Sequence, residues 1–241
     1  MTLMLRPRRS CLYVPGGNAR ALEKARSLPA DAFILDLEDA VAPDAKADAR
    51  EAIRNAVHNR AYGVREVVIR VNGLETEWGQ DDLEMAASAG VDGVLAPKVA
   101  SGDDVCFVDQ LLSDAGASPD LGLWVMIETP LAILNINEIV AASANTRLVG
   151  LVIGTNDLAK EFNAVPTPDR HAFMYSLSAA LVAARAYHLA AIDGVYNDIR
   201  NDAGLSAECE QCRVLGFDGQ TLVHPSQIET ANRIFSPSDA E

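Results

Sequence analysis

The stretch Leu148-Val149-Gly150-Leu151-Val152-Ile153-Gly154-Thr155-Asn156-Asp157 contains the pattern that decides the fold. Its first six residues form an uncharged apolar run, which is typical of a strand buried on both faces of a parallel sheet. Polar residues follow directly, and a segment with helical spacing comes after them. We therefore expect a βα unit that carries its functional groups at the carboxyl end of the strand.

Seven further apolar runs alternate with helical segments along the chain. They lie at Ser10–Pro15, Ala32–Leu37, Glu66–Val71, Gly93–Pro97, Leu123–Ile127, Leu189–Ile192 and Gln220–Val223. Eight such units are the number that closes a (β/α)8 barrel. An open nucleotide-binding sheet is disfavoured because Gly16-Gly17-Asn18 matches no phosphate-binding glycine motif. No linker or repeat interrupts the pattern, so we expect an α/β fold, one TIM-barrel domain spanning residues 1–241.

Composition excludes several classes of partner. The 34 acidic and 20 basic residues give a formal net charge of −14, which repels nucleic acid. No apolar run approaches the roughly 18 residues of a membrane helix, and the start shows no secretory signal. The four cysteines form no disulfide framework; Cys209 and Cys212 follow Leu205 at helical spacing and are expected to pack. We expect a soluble cytoplasmic protein.

Polar residues cluster where the apolar runs end. Because the carboxyl ends of all barrel strands open onto one catalytic face, these residues should converge. They are Asp36-Leu37-Glu38-Asp39, Arg70-Val71-Asn72, Pro97-Lys98, Glu128-Thr129-Pro130, Gly154-Thr155-Asn156-Asp157, Asp193 and His224-Pro225.

Glu128 and Asp157 follow neighbouring strands, so their carboxylates could share a divalent cation. Mg²⁺ commonly uses one or two protein carboxylates and fills its other positions with water and substrate oxygens. The alternative is that each acid caps the following helix. That alternative suits Asp157, since Asp is a favoured cap, better than Glu128, where Thr129-Pro130 already supplies a helix start.

The second apolar run along the chain, Ala32–Leu37, is predicted strand two. Because side chains alternate along a strand, Asp36 and Glu38 lie on one face. Asp36 lies within the apolar run and needs a partner, whereas a solvated loop explains Asp39 equally well. Arg70 ends an apolar strand; it either pairs with these acids or presents its fork to a substrate carboxylate or carbonyl.

Lys98 and His224 leave alternatives open. Lys98 could form a Schiff base, but the acids at strands five and six favour a metal route in which Lys98 contributes electrostatically. His224, a lone histidine before proline, fits a structural hydrogen bond or a base.

The ordered strand-end motifs resemble the HpcH/HpaI aldolase family, in its citrate lyase beta-subunit-like and malyl-CoA lyase group. The resemblance runs from Arg9 to about Phe235. It rests on Arg9-Ser10-Cys11-Leu12-Tyr13-Val14-Pro15, Asp36-Leu37-Glu38-Asp39-Ala40-Val41, Arg70-Val71-Asn72, Pro97-Lys98, Ile127-Glu128-Thr129-Pro130, Gly154-Thr155-Asn156-Asp157-Leu158 and His224-Pro225.

This resemblance implies a set of roles. Glu128 and Asp157 would bind Mg²⁺, Glu38 and Asp39 would hold metal-bound water with Asp36 in support, and Arg70 would bind substrate and stabilise an enolate. The substrate site would also include Arg9, the region from Lys46 to Arg50, Asn72 and Lys98.

The implied reaction is cleavage of a 3-hydroxyacyl thioester, such as malyl-, citramalyl- or citryl-CoA, into acetyl-CoA and a 2-oxo acid, or the reverse condensation. The substrate would be a CoA thioester or an acyl-carrier thioester, and relatives of this kind are commonly homotrimers or hexamers. Two alternatives are an aldolase on free hydroxy-oxo acids and a non-catalytic accessory subunit.

The end of the sequence differs from the malyl-CoA lyase pattern. Those relatives continue past the eighth helix into a segment that covers a neighbouring subunit's site and supplies an acid, whereas this sequence ends at Ser236-Pro237-Ser238-Asp239-Ala240-Glu241. We expect it to lack that segment, which leaves Asp193, Asp36 and His224 as internal proton donors.

Overall fold

The computed structural model describes residues 6–58 and 61–237 and shows one closed barrel of parallel strands in sequence order. Each strand pairs with its neighbours along the chain, and β1 closes the ring against β8. The strands are β1 Ser10–Pro15, β2 Ala32–Asp36, β3 Glu66–Arg70, β4 Gly93–Ala96, β5 Gly122–Ile127, β6 Leu148–Ile153, β7 Ala190–Asp193 and β8 Gly219–Leu222. The predicted (β/α)8 fold is confirmed.

Helices connect the strands and cover the outside of the barrel. They are α1 Ala19–Ala25, α2 Lys46–Val57, α3 Gly79–Ser88, α4 Gly102–Asp114, α5 Pro130–Leu134, α6 Ile136–Ala141, α7 Thr155–Phe162, α8 Met174–Ala186, α9 Asp202–Leu215 and α10 Ile228–Phe235. Among the described residues, no helix has the length and apolar character needed to cross a membrane. Leu205, Cys209 and Cys212 are the buried residues of α9, as their spacing predicted.

The alternation of side chains along each strand divides the core into two layers. Ile34, Val68, Trp124 and Val152 belong to a buried cluster inside the barrel. Leu35, on the other face of β2, belongs to the larger cluster between strands and helices. Because this alternation continues to the strand ends, it decides which polar residues point into the barrel mouth.

Candidate active site

Glu128 and Asp157 meet at the mouth through a shared neighbour, Lys98. Lys98 Nζ lies 2.6 Å from Asp157 Oδ1 and 3.4 Å from Glu128 Oε1. The backbone N–H of Lys98 donates to the same Glu128 oxygen at 2.8 Å. Burial favours the neutral acid and raises the pKa of Glu128, although the positive charge of Lys98 opposes this. The two acids are therefore close enough to share one cation.

The local sequence explains how these acids are presented. Thr129 caps α5 by accepting from the Ala132 N–H at 3.1 Å, which leaves Glu128 free of a capping role. Asp157 lies in the first turn of α7, where its carboxylate binds Lys98. Gly154 is required at the end of β6, since a Cβ there would lie 2.5 Å from Glu128 Cβ.

The donor set fits a hard divalent cation. Glu128 Oε2 is buried and has no hydrogen-bond partner among the residues that the structure describes, whereas the Asp157 side chain is 30% exposed. A buried carboxylate oxygen without a partner is costly unless something positive binds it. Within residues 6–58 and 61–237, no group of three or more His, Cys, Asp or Glu side chains is arranged to hold a metal ion. Two carboxylates would leave room for water and substrate ligands.

Arg70 forms a buried fork with Asp36. Its Nε and Nη2 donate to the two Asp36 oxygens at 2.7 and 2.6 Å. The remaining nitrogen, Nη1, lies 2.6 Å from Glu38 Oε2 and 3.4 Å from Asp39 Oδ2. The contact between Arg70 Nη1 and Glu38 Oε2 is an ion pair without a hydrogen bond, because its angles do not suit one. Arg70 therefore does pair with the strand-two acids and also directs one nitrogen towards the mouth.

The acids around Arg70 differ in what they can do. Asp36 is held by Arg70 and also accepts from the backbone N–H groups of Glu38 and Ala40, so its oxygens are occupied. The Asp39 side chain is 73% exposed. Burial raises the pKa of Glu38 to about 7. The positive charge of Arg70 lowers this pKa, and the negative charge of Asp39 raises it. A carboxyl group with a pKa near neutrality suits proton transfer.

Some of these groups border a cavity of about 310 Å³ in the barrel mouth. Its wall includes Tyr13, Asp36, Arg70, Met126 and Asp157. The Arg70 guanidinium stacks over the Tyr13 ring, with Cζ 4.8 Å from the ring centroid, and Nη1 lies 3.8 Å from Met126 Sδ. The sequence analysis did not identify Tyr13 and Met126 as site residues. The alternation of side chains along β1 and β5 could have indicated that both point into the barrel.

Lys46 and Asn72 form a buried brace beneath the strand-two acids. Lys46 Nζ donates to Leu37 O, Glu38 O and Asn72 Oδ1, each at 2.7 Å. Asn72 Nδ2 donates to Leu37 O at 3.0 Å and to buried Asp82 at 2.6 Å. All three ammonium donors of Lys46 are used inside the protein. Its assignment to substrate binding, like that of Asn72, stays a prediction that this geometry does not favour.

Replacing Lys46 by Met should lower the free energy of unfolding by about 3 kcal/mol, because it leaves buried acceptors without a donor. Urea denaturation measures this loss, and exposed Lys24→Met is the matched control with the same change in charge. A raised KM for a CoA thioester with unchanged stability would instead favour a substrate-binding role.

Arg9 lies at the opposite end of the barrel from these groups. It precedes β1, and its Nε and Nη2 bind both oxygens of Asp31, each at 2.8 Å, just before β2. Its Nη1 donates to Ser236 Oγ at 2.8 Å. The structure therefore does not bring Arg9 to the other predicted site residues, because the amino ends of barrel strands face away from the mouth.

The other predicted proton donors are occupied or peripheral. Both oxygens of Asp193 accept from Arg170, at 2.6 and 2.7 Å, and the Cys212 thiol also donates to Asp193 Oδ2. His224 is exposed and caps a short 3-10 turn by accepting from the Ser226 N–H at 3.2 Å. Arg170, which no sequence pattern indicated, makes Asp193 a structural partner.

Glu208 lies beside this pair and makes stability depend on pH. Burial raises its pKa from 4.5 to about 7, opposed by Arg170 and reinforced by the charge of Asp193. The folded state thus binds the proton more tightly than the unfolded state does. The resulting stabilisation is complete below pH 4.5 and is lost as the pH rises towards 7.

Glu208→Gln should remove this dependence. At pH 8 the variant should be more stable than the wild type by about 1 kcal/mol, because no buried carboxylate must ionise. Unfolding free energies measured from pH 4 to 8 test this, with exposed Glu229→Gln as the control. An unchanged slope in Glu208→Gln would assign the pH dependence to another group.

Comparison with known proteins gives consistent matches over almost the whole chain. A (3S)-malyl-CoA thioesterase of Cereibacter sphaeroides is 51% identical over 235 residues, which are 98% of this chain and 79% of that protein. The citrate lyase subunit beta of Escherichia coli K12 is 36% identical over 241 aligned residues, with 98% and 79% covered. Protein CitE of Mycobacterium tuberculosis, solved with magnesium, acetoacetate and coenzyme A, superposes with a TM-score of 0.81 at 29% identity, covering 97% of this chain and 82% of that one.

The family itself is identified by a match over most of the barrel. The sequence model of the HpcH/HpaI aldolase/citrate lyase family matches residues 9–225, from just before β1 to just after β8. This range includes every strand-end motif on which the resemblance rested, so the predicted family is confirmed. The chain belongs to the HpcH/HpaI aldolase/citrate lyase family.

Proposed function

We propose that this protein is a Mg²⁺-dependent carbon–carbon lyase that cleaves or forms a 3-hydroxyacyl-CoA thioester of the malyl type. The observation that carries the proposal is the single cavity bordered by Arg70 and by Asp157, with Glu128 beside it. The names of two relatives, malyl-CoA thioesterase and citrate lyase beta, support the substrate class. A related structure that contains magnesium and coenzyme A supports the cofactor and the thioester.

In this proposal Glu128 and Asp157 would hold Mg²⁺, which when bound would supply Lewis acidity to the oxygens of the 2-oxo acid portion. Glu38, with its pKa near 7, accepts the proton of the 3-hydroxyl group on a carboxylate oxygen. The C2–C3 bond then breaks, and its electron pair passes to the thioester as an enolate. Arg70 Nη1 stabilises the negative oxygen of the enolate. Return of the proton from Glu38 to the enolate carbon, directly or through water, gives acetyl-CoA and the 2-oxo acid and restores the Glu38 carboxylate.

Asp36 and Lys46 act as positioning residues in this scheme. Asp36 fixes two of the guanidinium nitrogens, so that Nη1 remains directed towards the mouth. Lys46 fixes the backbone carbonyls of Leu37 and Glu38, and thereby the path of the loop after β2 that carries Glu38 and Asp39. Preorganised charge of this kind stabilises a transition state without reorganisation at the moment of reaction. We propose a cytoplasmic homo-oligomer.

A second candidate function is hydrolysis of the same thioester. It is favoured by the 51% identity to a protein named a malyl-CoA thioesterase. Hydrolysis would need water at the thioester carbonyl, and Arg70 Nη1 would stabilise the negative oxygen that forms there, with Glu128 and Asp157 still the residues that would hold the cation. The products separate the two functions, because cleavage gives acetyl-CoA and hydrolysis gives free CoA.

The test is a product analysis with purified protein, (3S)-malyl-CoA and Mg²⁺. Acetyl-CoA and glyoxylate in equal amounts would support the lyase, whereas malate and free CoA would support the thioesterase. Parallel reactions with a free 4-hydroxy-2-oxo acid test the aldolase alternative. Turnover of the free acid alone would overturn the thioester proposal, and no turnover of any substrate would favour the accessory subunit.

A further inference from the structure

The Lys98 ammonium group is the cation that now stands between the two carboxylates. Its Nζ lies 2.6 Å from Asp157 Oδ1 and 3.4 Å from Glu128 Oε1. These are the same two acids to which the proposed function assigns the divalent cation. Two carboxylates in one partly buried site repel each other, so a positive charge at this point stabilises them strongly.

The backbone holds Lys98 in this position. Lys98 adopts a left-handed conformation with φ of 57°, which non-glycine residues seldom do without a local reason. This conformation brings its own N–H to Glu128 Oε1 at 2.8 Å while the side chain reaches over to Asp157. One residue thus contacts both acids, and the strain indicates that its placement is specific.

The side chain nevertheless has room to leave. It is 36% exposed, and the residue also borders a second cavity of about 340 Å³ between the β3 and β4 loops. Phe107 and Val99 contribute apolar surface to the wall of that cavity. An unbranched lysine can lay its stem along such a wall while its charged end stays in water. Departure from the acids therefore requires only rotation about side-chain bonds.

A Schiff-base role for Lys98 is less compatible with these contacts. Burial works to lower the pKa of Lys98, but the hydrogen bond to Asp157 and the charge of Glu128 outweigh it and the pKa is raised. A nucleophilic lysine needs the neutral amine, which requires a lowered pKa. The contacts instead keep the ammonium charged.

We propose that Lys98 is an internal competitor for the divalent cation: its ammonium neutralises Glu128 and Asp157 in the metal-free protein and is displaced when the cation binds. This inference rests on the proposed metal site. Competition by Lys98 lowers the affinity of the two carboxylates for the metal ion. When no metal is bound, the Lys98 ammonium offsets the repulsion between the Glu128 and Asp157 carboxylates.

The experiment is a calorimetric titration of the intact metal-free protein with MgCl₂. Lys98→Met removes the charge but keeps an unbranched side chain of similar length, so the left-handed backbone is no more strained than before. We expect the Kd for Mg²⁺ to fall about tenfold, since no ammonium has to be displaced; a tenfold change corresponds to about 1.4 kcal/mol. Lys160→Met is the matched control, because it removes the same charge from exposed α7, three residues after Asp157.

Thermal unfolding supplies a second readout that is independent of catalysis. Metal-free Lys98→Met should melt at a lower temperature than wild type, and saturating Mg²⁺ should raise its melting temperature by more than it raises that of wild type. Lys160→Met should show the wild-type shift. Lys98→Gln repeats the removal of charge with a polar side chain if the methionine variant does not fold.

The outcomes separate this inference from the proposed function. Unchanged or weaker Mg²⁺ binding in Lys98→Met, together with lost binding in Asp157→Asn, would overturn the role of Lys98 and leave the metal site intact. Equal tightening in Lys98→Met and Lys160→Met would reduce the effect to general charge and would also overturn it. Failure of the wild type and of Lys98→Met to bind Mg²⁺ would overturn both the metal site and this inference.

Discussion

Glu128→Gln should weaken Mg²⁺ binding at least about 100-fold and reduce kcat/KM at least about 1,000-fold, the largest effect expected of any single substitution here. The amide presents a neutral oxygen in place of the buried carboxylate, and one of the two charged ligands is lost. The variant should remain folded, because burial already disfavours the charged form of Glu128. Calorimetry with MgCl₂ measures the affinity, and steady-state kinetics with malyl-CoA measures the rate.

Two companion variants make this result specific. Asp157→Asn should have a similar effect from the other side of the site, since Asp157 shares Lys98 with Glu128. Glu161→Gln makes the same chemical change on the exposed face of α7 and should leave Mg²⁺ binding at the wild-type level. Unchanged Mg²⁺ affinity in both Glu128→Gln and Asp157→Asn would eliminate the two-carboxylate site.

Arg70→Lys should cost about 2 kcal/mol or more of transition-state stabilisation, about a 30-fold loss in kcat/KM. A single ammonium can pair with Asp36 or reach the position of Nη1, but it cannot do both as the guanidinium does. The interaction that is lost forms with the charge that develops during reaction. We therefore expect the fall in kcat to exceed the change in KM.

The chain offers a matched control for the structural part of this effect. Arg170 and Asp193 form a second buried two-point pair, with distances of 2.6 and 2.7 Å, that contacts neither Glu38 nor Asp39 in the described structure. Arg170→Lys should lower the free energy of unfolding by about as much as Arg70→Lys does, but it should keep most of the activity. Near-wild-type kinetics in Arg70→Lys, or equal kinetic losses in both variants, would make Arg70 a structural partner of strand two.

Strand-level features could be predicted from the sequence because they are local. The apolar runs agree with the eight strands to within one residue at either end, and the period of two correctly separates Asp36 from Leu35 and Leu37. Thr129-Pro130 starts α5 as its residue types indicate. Each feature depends on neighbours a few residues away, where backbone geometry and solvent contact follow directly from residue type.

Position relative to a strand also carried information about Arg9. That residue precedes β1, so the rule that collects strand ends at the mouth places it at the opposite face. The family resemblance nevertheless implied a substrate-binding role for Arg9, whereas in the structure Arg9 binds Asp31 at that opposite face. Strand direction was the better guide because it is fixed by the barrel itself.

The sequence by itself determined the barrel, the family and the polar residues that end each strand. Only the tertiary structure decided which partner each of them takes: Asp36 with Arg70, Lys46 with the carbonyls beneath the acids, Asp193 with Arg170, and Lys98 between Glu128 and Asp157. Residue type and strand position bring a side chain to the mouth. Its partner depends on loop paths and rotamers, which are fixed by packing between segments tens of residues apart.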